Sequence, residues 1–362
     1  MLSAVQMPLP AVQESLGWQA RQPWLQASPM RLFKPLLLLP VLPFMLMLGG
    51  DGEISMVRQV LGPSSRVSAI PIPLDASDPK RVRVGRLRYL KGWRLENPDP
   101  AFGSFSSMLV SEDAFLLLND AGGYVRLARG PGDAIGAARF GDLPDGPGDP
   151  YLKRNRDSES MTVDPRTGQI WVGFESRNAI WRYAPGLARA EAGRRPSEMR
   201  KWPGNAGAEA MARLSSGRFL VLSEGGKAPP GADAALLFDR DPTDPAARST
   251  RFYYRPPSGF RVTDAAELPD GRVLVLHRRL GFWPLFTAKL SILDPKAIER
   301  DGLVTGEEIA TLAPPLAVDN MEALAITREG ERIIVWIASD DNFGTPFQKS
   351  LLLKFALEDG GR

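Results

Sequence analysis

The 362-residue sequence contains no cysteine and one histidine, His277. Without cysteine there is no disulfide, no thiolate zinc site, no iron–sulfur cluster and no cysteine nucleophile. A single histidine excludes the multi-histidine sites that suit zinc, copper or non-haem iron, which leaves hard cations held by oxygen. Any catalytic histidine has to be His277. Neither charge sign predominates: Lys+Arg 45 stand against Asp+Glu 42, so the net charge is only +3 and nucleic acid is not an expected partner. Nucleophile-elbow, P-loop and dinucleotide motifs are also missing, which removes support for serine-esterase and nucleotide chemistry. What is abundant is glycine and proline, 35 and 33 residues. That is about 19% of the chain against roughly 12% in average proteins, and it excludes a helical bundle or coiled coil. With 43% hydrophobic and 24% charged residues the chain still has the means to build a sizeable core.

The first 52 residues read differently from the rest. Up to Pro29 there is no helical or strand period; then Arg31 and Lys34 precede an apolar run at 35–48, interrupted by Pro40 and Pro43 and followed by Gly49, Gly50 and Asp51. A positive segment, a short apolar segment and small residues make a secretory signal, with translation expected to begin at Met30. The run is about four to six residues too short to span a bilayer comfortably. A membrane anchor that is not cleaved is the alternative, since no clear A-x-A site follows; two prolines argue against a buried helix. The expected organisation is an extension and signal or anchor at 1–52 and a single domain at 53–362. Export to the periplasm, free or membrane-anchored, is the expected location, and a monomer the expected state.

A repeat runs through that domain. Its copies begin Ser106-Ser107-Met108-Leu109-Val110, Glu159-Ser160-Met161-Thr162-Val163, Glu209-Ala210-Met211-Ala212-Arg213, Asp264-Ala265-Ala266-Glu267-Leu268 and Glu322-Ala323-Leu324-Ala325-Ile326. Successive starts differ by 53, 50, 55 and 58 residues. In each copy a polar turn, such as Ser215-Ser216-Gly217 or Pro269-Asp270-Gly271, is followed by a β-rich run that ends on Asp120, Glu175, Glu224, Arg278 or Asp340. Aromatic segments such as Ile180-Trp181-Arg182-Tyr183 supply outer strands. Repeats of about 50 residues with three or four strands predict an all-β β-propeller, in which no blade buries its faces without neighbours. Residues 82–96 carry enough strand formers for most of another blade, so six blades are expected. Two unrelated β-sandwiches would not explain the regular spacing.

Equivalent positions of a propeller form rings around its axis. Glu159, Glu209, Asp264 and Glu322 share one position and are the candidate metal ligands, because like charges at close range repel by several kcal/mol unless a cation neutralises them. Calcium, with six to eight oxygen ligands in tolerant geometry, is the expected cofactor. Asp120, Glu175, Glu224 and Asp340 are expected in a second tier towards the opposite rim or the grooves between blades. Hydrogen bonds to backbone amides, or salt bridges to Arg154, Arg177, Arg261, Arg278 or Arg279, are the alternative uses of the carboxylates. Those arginines are alternatively anion ligands. His277 and Arg278 alternate on one strand, so one of them faces the channel. The candidate catalytic residues are Arg261, Arg278 and His277, with His277 reading more readily as a hydrogen-bonded strand-end residue than as a general base.

Phe102-Gly103-Ser104-Phe105-Ser106-Ser107, Asn119-Asp120-Ala121-Gly122-Gly123, Phe174-Glu175, Gly259-Phe260-Arg261-Val262-Thr263-Asp264-Ala265, Val318-Asp319-Asn320-Met321-Glu322 and Ser339-Asp340-Asp341-Asn342-Phe343 together resemble the phytase-like family, described as having esterase-like activity of phytase. The resemblance implies a propeller, an exported protein and phosphoester hydrolysis on a small anionic substrate. The Asp-Asp-Pro-Ala-Ile-Trp motif of alkaline phytases is absent, so their ligands do not transfer residue by residue. Three functions follow as expectations: a calcium-dependent phosphoesterase, a calcium-dependent lactonase, and a non-catalytic periplasmic binding or scaffold propeller.

Overall fold

The computed structural model describes residues 65–343 and 348–358. The apolar run at 35–48 and the Met30 start lie outside the described residues. The chain opens with β1 (Ser65–Arg66), β2 (Ser68–Pro71), β3 (Arg83–Val84) and the longer β4 (Leu87–Glu96). A meander follows: β5 (Phe105–Val110), β6 (Ala114–Asn119), β7 (Gly123–Arg129) and β8 (Ile135–Asp142), with β1 added at its outer edge. The short helix α1 (Lys153–Arg156) leads into the second sheet, made of β9 (Ser158–Val163), β10 (Ile170–Phe174), β11 (Ala179–Tyr183) and β12 (Ala190–Arg194). The third contains β13 (Ala208–Arg213), β14 (Phe219–Ser223), β15 (Asp233–Phe238) and β16 (Ser249–Arg255). The fourth contains β17 (Arg261–Glu267), β18 (Val273–Leu280) and β19 (Phe286–Leu293). Of the next two strands, β20 (Leu303–Thr305) returns to pair parallel with β16, and β21 (Glu307–Leu312) edges the fourth sheet. The last sheet holds β22 (Asn320–Glu329), β23 (Arg332–Asp340) and β24 (Ser350–Leu357).

The innermost strands β5, β9, β13, β17 and β22 each neighbour the next, and β22 neighbours β5, which closes a ring. The molecule is a five-bladed propeller. Residues 82–96 do not begin the expected sixth blade among the described residues, because β4 pairs along β24 from Ser350↔Leu95 to Leu357↔Leu87 and completes the last blade. Both ends of the described chain therefore build one blade, which ties the ring shut.

Local sequence accounts for the repeated unit. Gly217 and Gly271 sit in the turns after β13 and β17 at φ 84° and 85°, where a side chain would be strained. Strands β10 and β14 are buried along their whole length, as continuously apolar runs require of strands packed on both faces. Blades meet through edge-on aromatic pairs: Phe115 against Trp336 at 5.0 Å and Trp171 against Phe219 at 4.9 Å. Each such pair contributes about 0.5–1.5 kcal/mol beyond its area burial.

Candidate functional site

All five innermost strands carry a β-bulge near their start, between Phe105 and Ser107, Ser158 and Ser160, Ala208 and Ala210, Val262 and Asp264, and Met321 and Ala323. The extra residues are Ser106, Glu159, Glu209, Thr263 and Glu322. A bulge leaves its residue out of the ladder and re-aims its side chain. The two hydroxyls tie adjacent blades together: Ser106 Oγ donates to Ser158 O at 2.7 Å and Thr263 Oγ1 to Met321 O at 3.2 Å. The three glutamates instead meet other carboxylates at the tunnel mouth.

Asp264 is not one of them. Thr263 takes the bulge position in β17, so Asp264 matches Ser107, Ser160, Ala210 and Ala323, and a one-residue slip places its side chain on the other face. It is buried, accepting from Leu324 N at 2.8 Å, Ser107 Oγ at 3.2 Å and its neighbour Ala265 N at 2.8 Å. Ser107 Oγ in turn accepts from Met161 N at 3.0 Å. Asp264 thus plugs the tunnel by joining β5, β17 and β22, and burial holds its carboxyl well above the usual range.

The second tier belongs to the same mouth as the bulge glutamates and not to the opposite rim. In an antiparallel hairpin the end of one strand lies beside the start of its partner. Glu175 follows β10 beside Asp157, and Asp340 pairs with Asn320. One oxygen from each of Asp157, Glu159 and Glu175 lies within 4.8 Å of the others, and the same holds for Glu175, Glu209 and Glu224. Glu175 is common to both triads. On the other side of the mouth Arg278 Nε contacts Glu322 Oε1 at 3.0 Å, while its Nη2 is 3.9 Å from Glu224 Oε1. Asn320 Nδ2 donates to Glu322 Oε1 at 2.8 Å and Asp340 Oδ2 at 3.2 Å, and its buried Oδ1 has no hydrogen-bond partner. Lys153 closes the circuit at 2.8 Å from Asp157 and 3.2 Å from Asp120.

Among the described residues this mouth gathers eight carboxylates around two enclosed cations, and its electrostatics show the excess. Burial and the carboxylates of Asp157 and Glu224 push Glu175 up to about 8. Burial, reinforced by neighbouring anions, holds Glu159, Glu209 and Asp340 well above the ordinary range. Asp120 and Glu322 are raised by burial although Lys153 and Arg278 oppose it. Burial works against the charges of Lys153 and Arg278, and the surrounding carboxylates overcome it, leaving both more basic than usual.

The remaining candidates divide. Arg278 faces the mouth and His277 faces away. The His277 ring is fully buried and stacked on Tyr254 of the preceding blade, at 5.8 Å between centroids. Nδ1 lies 3.3 Å from Lys289 O and Nε2 2.8 Å from Tyr254 Oη, which assigns the proton to Nδ1 and makes Nε2 the acceptor. Burial lowers its pKa to about 4, so it is neutral and structural rather than a base at the mouth. Arg261 stands at the rim, with its side chain 65% exposed and Nη1 3.1 Å from Glu224. Arg177 holds Asn155, Arg279 lies over the Phe260 ring at 5.0 Å, and Arg154 is exposed. Asp157 and Lys153 lie outside the repeat starts, the strand ends and the quoted motifs, and proximity in the fold brings them in, whereas Asn320 belongs to the motif that holds Glu322.

Three solved structures show remote likeness to this chain. The major allergen Mala s 1 of Malassezia sympodialis is 11% identical over 82% of this chain and 96% of its own, with a TM-score of 0.41. A luciferin-regenerating enzyme is 10% identical over 80% and 98%, at 0.42, and a Lactobacillus plantarum protein 10% identical over 82% and 83%, at 0.36. No curated protein matches the sequence. The profile of the phytase-like family, described as esterase-like activity of phytase, matches residues 100–343, about two thirds of the chain and a span that holds the whole mouth; the chain belongs to that family.

Proposed function

We propose that the acidic mouth binds calcium and that the protein is an exported, metal-dependent phosphoesterase acting on small anionic substrates. The pair of carboxylate triads sharing Glu175 carries this reading. Calcium–oxygen distances are about 2.3–2.6 Å, so oxygens around one ion lie within about 5 Å of each other, and both triads meet that condition. The donor set is all oxygen, as the lack of cysteine and the burial of His277 require. Asp157, Glu159 and Glu175 would hold an ion in one triad, and Glu175, Glu209 and Glu224 would hold one in the other. Bound calcium supplies a Lewis acid for a phosphoryl oxygen and lowers the pKa of a coordinated water.

The chain's own residues bind and orient. Arg278 fixes Glu322 and stands near Glu224, so the wall of the mouth keeps its shape when anions enter. Arg261, exposed at the rim, offers a guanidinium fork to an approaching phosphate and to charge developing on it. His277 takes no part. The test is hydrolysis of p-nitrophenyl phosphate and phytate after chelation and calcium addition. The expected result is turnover that requires calcium and falls at least about tenfold in kcat/KM on Glu209→Gln. No calcium-dependent turnover on any phosphoester overturns the reading, and a lactone panel run beside it separates lactonase chemistry.

One observation favours a second reading, a non-catalytic binding propeller: Asp264 is satisfied by amides and a hydroxyl, so acidic residues here also serve structure. That reading expects a melting temperature indifferent to calcium.

A further inference from the structure

Strand β18 runs towards the mouth through Arg278 and continues to Leu280, which pairs with Phe286. Leu280 stands two residues, about 7 Å, beyond Arg278, and the loop at 281–285 lies farther out. Residues 280–286 are uncharged, and the loop is closed by a bond from Gly281 N to Leu285 O at 2.9 Å. At its tip Phe282 is 90% and Trp283 86% exposed. Two large aromatics so fully in water forgo the stabilisation that burying their apolar surface would bring. The other exposed aromatics among the described residues, Tyr151 and Phe343, belong to connections on the same face, before β9 and after β23.

We propose that this hairpin tip inserts into a lipid surface and turns the tunnel mouth towards it. The exposure favours lipid over a protein partner, because two neighbouring aromatics that stand almost wholly clear of the rest of the protein enter a fluid surface without needing a matching recess. The composition is that of a membrane interface, with tryptophan and phenylalanine at the point and arginines behind it. Arg279 lies next to the loop, and Arg261, paired with Arg278 on the adjoining strand, is largely exposed at the same rim; both complement headgroup phosphates. This inference needs neither calcium nor hydrolysis at the mouth and shares with that reading only Arg261.

The absence of cysteine makes the test clean, since Phe282→Cys provides a unique thiol for a polarity-sensitive fluorophore in the full chain. Ser216→Cys, exposed on the β13–β14 turn at the other rim, provides the control. With phosphatidylcholine vesicles containing brominated chains, the label at 282 is expected to shift to the blue and to be quenched several-fold more strongly than the label at 216. Equal quenching at both sites, or an aqueous spectrum at 282 with the protein bound to vesicles through another segment, overturns the proposal. So does failure of the full chain to bind vesicles, including the case in which a protein partner is later found on the tip.

Discussion

Two charged clusters lie at opposite rims of the ring, and they are built on different principles. At the seam between the last blade and the first, Lys354 Nζ contacts Asp133 at 2.7 Å and Glu329 at 2.6 Å. Arg129 contacts Asp133 at 2.7 Å and Glu329 at 3.3 Å, and Lys91 reaches Asp133 at 3.3 Å. Trp336 backs both main cations, Lys354 at 4.9 Å and Arg129 at 5.1 Å from its centroid. Every carboxylate there has more than one cation, and although burial opposes it, Asp133 is held below its ordinary pKa by Lys354 and Arg129. At the mouth the balance is reversed and carboxylates are held above theirs. Where charge serves only to close the ring, opposite signs are matched; an anion excess is expensive to keep unless another cation completes it.

Breaking the matched cluster gives the largest effect on stability. Lys354→Met leaves Asp133 buried with less compensation, and is expected to lower stability by about 3 kcal/mol in chemical denaturation, with the loss concentrated above the carboxylate pKa range. The mouth responds in the opposite sense. In chelator, Glu175 titrates at about 8 in the folded chain, against about 4.3 when unfolded. The folded chain therefore binds extra protons between those values, and its melting temperature is expected to fall as pH rises from about 5 to about 8. Calcium at about 100 times its Kd is expected to restore about 2.7 kcal/mol near neutral pH. Glu209→Gln should flatten the pH dependence and remove most of the calcium response, both read by scanning calorimetry. The smallest effect belongs to His277, the one histidine among the three catalytic candidates. His277→Gln is expected to cost about 1 kcal/mol through its bonds to Tyr254 and Lys289, with calcium-dependent kcat/KM unchanged.

The register of the fourth repeat shows what sequence can mislead. Asp264 supplies the expected acid, and Leu268 four residues later mimics Val163 and Ile326 in two other copies. Both draw the alignment one residue late, whereas the true bulge residue, Thr263, is neutral. The expectation of an extra blade fails for a related reason: residues 82–96 are strand-forming, yet nothing local says that their partner is β24, more than 250 residues away. Asp157 and Lys153 carried no repeat signal, since they lie in the connection before β9.

Sequence by itself determined the hairpins, the buried apolar strands, the exclusion of sulfur and imidazole metal sites, and the recurrence of acidic residues at strand ends. These are properties of neighbours along the chain, fixed by periodicity, turn chemistry and composition. The tertiary structure decided how many blades close the ring and which carboxylates meet. A bulge shifted by one residue turns a side chain from the mouth to the plug, and only packing across blades sets where that bulge falls.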